Sequence, residues 1–417
     1  MVGTTSDYID WLRRGSPNQL VFLTDRQIRS KAKENAPGPE EEVCSDLSDM
    51  ESATHAILNF VKRRNLSING IACFDCESMA LSSRIAEAFG VPYPSSDSIV
   101  NCRDKCRSKK LWAEAGLRIP QGKEVKTPRD AAKAFHQIGS SSVLKPTRGA
   151  GSELVFLAKT ADEASHCFRE IEKGLAKRHT NPLYTDSMGT KSAIVLEEII
   201  EAEEYSCDFV FENNRVHILR IARKIPQPKG PFGTTMAYVL TESLPPEVSL
   251  SRFEDTLRRS AKALGIRNAI SMLDFFVTNG EIVLLEMAPR PGGDCLPALI
   301  RHVYDVDILR AAVQYAAGKA IETAFPALSA PTTPLVGMRV HAPSGGTLQE
   351  VDVSSIRNDS RIREIHFIHQ KGHVIKMPPF DYDSWLMGYV IFAPSKEPSI
   401  LEECEEIQSR IRIEVKK

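Results

Sequence analysis

Two carboxylates interrupt an otherwise apolar hairpin, ISMLDFFVTNGEIVLLEMA, at residues 270–288. Runs rich in Ile, Leu, Val and Phe on both sides of Thr278-Asn279-Gly280 predict two antiparallel strands. Asp274 and Glu286 fall inside those strands, where a buried carboxylate is costly unless something neutralises it. If residues 278–280 form a three-residue loop with Gly280 left-handed, Val277 faces Glu281, Asp274 faces Leu284 and Met272 faces Glu286. The two acids then share one side of the ribbon as diagonal neighbours, roughly 7–8 Å apart at Cα. That spacing suits carboxylates that hold Mg²⁺ between them with nucleotide oxygens. A two-residue Asn279-Gly280 turn would instead send the acids to opposite faces. A further alternative is an acid at the edge of the core paired with a base such as Arg290.

A second constellation is Leu144-Lys145-Pro146-Thr147-Arg148-Gly149-Ala150-Gly151-Ser152. A strand ends in a lysine, a glycine loop follows, and another strand leaves. Glycines let backbone N–H groups approach phosphate oxygens, and Lys145 would add a point charge there. No GK[ST] follows and no helix begins, so this is not a Walker A loop. A plain hairpin with a Gly-rich turn would read the same way. Pro289-Arg290-Pro291-Gly292-Gly293-Asp294 follows the hairpin directly. Arg290 would reach a transferred phosphoryl group, and the glycines would admit a substrate carboxylate. The bland reading is a strand-to-helix turn. Glu197-Glu198-Ile199-Ile200, leading to Glu204, reads as an edge strand whose backbone could face adenine and whose later carboxylate could bind ribose.

The remaining pattern sets the context. Strand QLVFLT, a helix over 50–64, strand INGIACFD and helix SMALSSRIAEAFG predict a small parallel α/β unit over the first hundred residues. It has no GxGxxG and so no dinucleotide site. From about 102 an amphipathic helix runs to Gly116, a second begins at Thr127-Pro128, and strands dominate to residue 288. Residues 180–192 read as a loop. The last ninety residues are mostly short strands closed by a helix over 397–411. With 417 residues, two or three packed units are expected. A net charge of −1 gives no footprint for nucleic acid or an anionic membrane, and no apolar run spans a bilayer. The N-terminus lacks a signal-peptide core, so the expected location is cytoplasmic. Nine scattered cysteines do not make a disulfide framework; Cys73 and Cys76 with Cys102 and Cys106 could hold zinc or be buried thiols.

Taken in order, these pieces resemble the ATP-grasp superfamily over roughly residues 100–325. KPTRGAGSELVF and LEMAPRPGGDCLPALI are most similar to its carboxylate–amine ligases, the L-amino acid ligases among them. The resemblance implies an α/β (α+β) ATP-grasp architecture. It has a parallel α/β pre-grasp domain at 1–101, a two-lobed ATP-grasp domain at 102–325 with a mobile lid about 140–200, and a β-rich domain at 326–417. It implies that Lys105 and Lys145 contact ATP phosphates and that Gly149, Ala150, Gly151 and Ser152 close over them. Glu197, Glu198 and Ile200 would hold adenine above Leu285, with Glu204 on ribose. Asp274 and Glu286 would bind Mg²⁺ or Mn²⁺, and Arg290 would steady an acyl phosphate. Lys224 would lie near phosphate or substrate, with Arg223 or Lys229 as substitutes, and Gly230–Gly233 would form a substrate loop. Ala288 stands where many members carry a metal-binding Asn, which leaves the metal count open. The implied activity joins a small-molecule carboxylate to an amine through an acyl phosphate, giving a dipeptide or a specialised metabolite, in a chain that could be a homodimer. Its rivals are a carboxylase-like or enolate-activating relative and a nucleotide-binding regulator without catalysis.

Overall fold

A computed structural model describes residues 1–185, 192–228, 230–241, 244–325, 334–395 and 399–417. In the first hundred residues, strands Phe22–Asp25 and Glu42–Ser45 pair in parallel, Phe22 opposite Glu42. Helices Met50–Arg63 and Met79–Phe89 form as the periodicity predicts, and Gly90 ends the second at φ 67°. The INGIACFD stretch forms no ladder of its own. The chain's first residues run beside it instead: Val2 N–H bonds Ala72 O at 3.0 Å and Gly3 N–H bonds Leu23 O at 2.9 Å. Val2, Leu23, Ile57, Phe60 and Ile85 make the small core beneath.

The amphipathic segment from 102 splits into helices Ser96–Arg103 and Lys105–Glu114. Asp104 breaks the run because its carboxylate caps the second helix, accepting from the Cys106 and Arg107 N–H groups. The lid sheet follows, antiparallel throughout: Gly122–Val125, Ile194–Glu198, Ser142–Pro146, Phe156–Ala158 in spatial order. Helices Pro128–Ile138 and Ala161–Ala176 bury Ala131, Ala134, Phe168 and Ile171 with Leu144 and Leu196 of the lid sheet.

The second sheet has eight antiparallel strands, Glu281–Ala288, Ala269–Thr278, Glu203–Glu212, Arg215–Pro226, Thr235–Thr241, Val336–His341, Leu386–Phe392 and Ile362–Phe367. Three strands after residue 335 therefore continue this sheet, while Gly346–Asp352, Val374–Ile375 and Arg412–Lys416 form a separate three-stranded sheet, and Met338, Val390 and Phe392 share a core with Ile225 and Val239. Strand period two decides which face does chemistry. Tyr205, Cys207, Phe209 and Phe211 pack with Phe253, Leu257 and Phe275 on the face covered by helix Leu250–Ala263. Glu204, Ser206 and Asp208 alternate with them and point to the other face.

Candidate active site

The acid hairpin reaches the expected arrangement by a different register. Asn279 and Gly280 both have positive φ, 49° and 71°, and Thr278 pairs with Glu281. The turn is thus the two-residue Asn-Gly form, not the three-residue loop. Taken alone it would put Asp274 and Glu286 on opposite faces. A bulge corrects the parity: Phe275 pairs with Leu284, but Asp274 pairs with Glu286, leaving Leu285 as the extra residue. The same slip lets Leu284 and Met287 share the helix-covered core. The two acids are therefore directly opposed rather than diagonal, and Asp274, Leu285 and Glu286 all face one cleft.

Lysines, not Arg290, neutralise these acids. Lys224 Nζ lies 3.1 Å from Asp274 Oδ2 and also meets Glu204, while Lys105 Nζ lies 3.3 Å from Glu286 Oε2. Burial alone would depress Lys224, but Asp274 and Glu204 hold it well above its usual value. Burial opposes ionisation of Glu286, yet Lys105, Lys145 and Lys224 together keep its carboxyl below the normal range. Burial lifts Glu204 despite its lysine partner. Asp274 is 8% exposed, and its Oδ1 has no hydrogen-bond partner. An unpaired carboxylate oxygen opposite a second carboxylate is a fit for a hard cation. Among the described residues no group of three or more His, Cys, Asp or Glu is placed to hold a metal ion, so solvent or nucleotide oxygens would complete the shell.

The strand carrying Glu197 is not an edge. It is laddered on one side to Gly122–Val125 and on the other to Ser142–Pro146. Its ladder ends at Glu198, and Ile199 and Ile200 leave it along the cleft wall. The Glu197 carboxylate is enclosed at 2% exposure between Lys109 and Lys145, the latter at 2.8 Å. Burial is overcome by Lys145 and Lys109, which pull Glu197 down to about 2. Burial and the neighbouring Lys145 depress Lys109 to about 7, while Glu197 outweighs burial at Lys145 and raises it. Lys109 was not singled out from the sequence. The signal was there: it follows Lys105 by one helical turn and so shares its face.

The glycine loop crosses above. Gly149 and Gly151 have φ 149° and 63°, and a Cβ at Gly149 would press to 3.1 Å from the Tyr184 ring. Lys105 Nζ donates to Gly149 O at 3.3 Å, and Ser152 Oγ to Gly233 O at 2.9 Å, so the loop meets the Gly230–Gly233 segment over the cleft. Lys105, Lys145, Gly149, Ala150, Gly151 and Ser152 wall the cleft from the lid side. Glu197, Glu198 and Ile200 continue the wall, and Glu204, Lys224, Asp274, Leu285 and Glu286 supply its opposite side. Arg223 pairs with Glu203 away from it, and Lys229 lies outside the described residues, as do 186–191 of the loop read at 180–192.

Arg290 is not part of that wall. Its guanidinium donates to Pro291 O at 2.8 Å and rests against Cys76 Sγ at 3.3 and 3.4 Å. All nine cysteines are free; Cys73 and Cys102 are buried thiols. Sequence reading also passed over Asp208 and Arg220, a bidentate pair at 0% side-chain exposure. Each interrupts a short apolar stretch, CDFVF and ILRIA, as Asp274 interrupts its own strand. No described helix is long and apolar enough to cross a membrane.

A family model for the ATP-grasp domain matches residues 138–298. Carnosine synthase 1 of Homo sapiens is 24% identical over 276 residues, 64% of this chain and 33% of its own length. The L-arginine-specific L-amino acid ligase of Bacillus subtilis is 20% identical over 297 residues, 69% of this chain and 66% of its own. The chain thus spans only part of the length of these curated relatives. The crystal structure of an L-amino acid ligase from Bacillus licheniformis superposes with a TM-score of 0.80 at 18% identity, covering 100% of this chain and 98% of that one.

Proposed function

Because this chain carries an ATP-grasp domain, we propose that it is an ADP-forming ligase that activates a small-molecule carboxylate as an acyl phosphate and couples it to an amine. One observation carries the reading: Asp274 and Glu286 stand directly opposed beneath a glycine loop, with Lys105, Lys145 and Lys224 about them and Asp274 Oδ1 unpaired. The two named relatives with ligase chemistry, carnosine synthase and the L-arginine-specific ligase, support the carboxylate–amine choice.

Lys105 and Lys145 hold the ATP phosphates, and Ile199–Ile200 with Leu285 frame adenine. Asp274 and Glu286 hold Mg²⁺, which when bound offsets phosphate charge. A substrate carboxylate oxygen attacks the γ-phosphorus in line, and the bond to ADP breaks. The amine nitrogen then attacks the acyl carbon, forms the C–N bond, gives up a proton and displaces phosphate. The loop Gly149–Ser152 excludes water, since an acyl phosphate hydrolyses readily. Arg290 stabilises charge on the departing phosphoryl group. In this reading the units are 1–101, 102–325 and 326–417, the last lending three strands to the eight-stranded sheet, and the enzyme works in the cytoplasm.

The test is a matrix of carboxylates and amines with ADP release as readout and mass spectrometry of the product. An amide product and inactivity of Glu286→Gln in the same assay are expected. Bicarbonate-dependent ADP release would reassign the chain to a carboxylating enzyme. Nucleotide-dependent stabilisation without turnover on any pair would mark a regulator.

A further inference from the structure

Beyond the cleft residues, the geometry points to Asp208 and Arg220 as positioning residues: we propose that this buried ion pair sets the Pro291–Gly292 turn and, through it, the Arg290 guanidinium. The inference rests on the ligase reading for what Arg290 does, but not for where the pair holds it.

Enclosing two charges in a sheet gains little stability over apolar residues of similar volume. Here the pair is nonetheless densely bonded. Arg220 Nε and Nη2 meet the two Asp208 oxygens at 3.0 and 2.9 Å, and two further donors, on Nη1 and Nη2, reach Ser206 O at 2.8 Å and Ser206 Oγ at 3.1 Å. Both Asp208 oxygens also accept the Gly292 N–H, at 3.0 and 3.1 Å. The arrangement works only with glycine at 292. A Cβ there would stand 2.4 Å from Arg220 Nη2 and 2.8 Å from Leu296 Cδ1.

Sheet register places the pair where it can act. Asp274 lies between Ser206 and Glu286 across the strands. One row further toward the end of the hairpin, Arg220 pairs with Asp208, Asp208 with Met272 and Met272 with Ala288. The pair therefore underlies the point where the chain leaves the metal-site strand for residues 289–293. From there the connection to Arg290 is short. Gly292 is tied to Asp208, the preceding carbonyl of Pro291 accepts from Arg290 Nη1 at 2.8 Å, and Arg290 N–H bonds Ala288 O at 2.9 Å. Releasing the turn moves the Pro291 carbonyl that fixes Arg290 Nη1 and so draws the guanidinium away from Cys76.

The experiment uses the full chain and three variants, Asp208→Asn, Gly292→Ala and Arg290→Ala, with each of the first two also combined with the third. Gly292→Ala keeps both charges but presses a Cβ against Arg220 Nη2, so it separates the turn from the pair without removing either partner and serves if Asp208→Asn folds poorly. Turnover should fall about 10–100-fold in each single variant, the effect expected when a reacting group is misplaced by about an ångström, with KM for ATP within about twofold of wild type. Each double variant should be no slower than Arg290→Ala alone. Multiplying effects in the doubles, or a parallel loss of ATP affinity, would overturn the proposal. Crystal structures of Gly292→Ala and Asp208→Asn give a readout independent of activity: Arg290 should leave its contact with Cys76. An unmoved arginine overturns the positioning claim. Absence of ADP release from wild type with every carboxylate and amine would instead overturn the ligase reading, and the crystallographic outcome would still decide this one.

Discussion

Replacing Glu197 with Gln probes how far the phosphate end of the site depends on one buried charge. The carboxylate is 2% exposed and lies between Lys109 and Lys145, so solvent does little to screen it. Its folded value of about 2 against an ordinary 4.5 corresponds to about 3 kcal/mol of stability. The sign follows from proton counts. Between 4.5 and about 2 the unfolded chain binds more protons than the folded one, so this contribution is complete above 4.5 and is lost as pH falls toward 2. Lys109 acts in the opposite sense. Depressed from 10.5 to about 7, it subtracts stability below 7, and that penalty fades as pH rises toward 10.5. Glu197→Gln should therefore cost about 3 kcal/mol at pH 7, within reach of the 3–5 kcal/mol typical of breaking a buried pair. At about 2 °C per kcal/mol for a chain of this size, Tm falls by roughly 6 °C. The deficit should shrink at pH 9, where Lys109 can shed its proton, and the KM for ATP should rise because Lys145 loses its anchor. Scanning calorimetry at pH 6, 7 and 9 with an ATP titration measures all three effects. A variant melting within about 1 °C of wild type at every pH would refute the claim that this carboxylate holds the lysines.

Two shorter predictions concern the rest of the cleft. Arg290→Ala should lower turnover about 100-fold with little change in ATP affinity, as for loss of a group that meets charge only in the transition state; a defect confined to ATP binding in steady-state kinetics would reassign it. Lys224→Met leaves Asp274 and Glu204 without their shared cation, so added Mg²⁺ should raise Tm more in the variant than in wild type; equal shifts in a thermal titration would count against cation binding at Asp274.

Residue type and local order carried much of this protein. The helix over 50–63, the N-cap at Thr127, the glycine loop after Lys145 and the acid hairpin follow from periodicity and turn chemistry, which act over a few residues. The placement of acids among apolar strands marked Asp274 and Glu286, and the same signature would have marked Asp208 and Arg220. Lys109 was readable too, one helical turn beyond Lys105.

Pairings between distant segments were not readable, because register depends on what packs against each strand. The Asn-Gly turn alone predicts acids on opposite faces; only the bulge at Leu285, with Leu284 and Met287 both drawn into the core around Phe253 and Phe275, restores them to one side. Glu197 looked free to meet a ligand until the lid sheet placed it between two lysines from other elements. INGIACFD forms no ladder, and Val2 instead bonds Ala72 on one side and bridges Leu23 on the other. Local chemistry chose the parts of the site, while long-range pairing and burial chose which parts meet, since a one-residue slip in a strand exchanges its two faces.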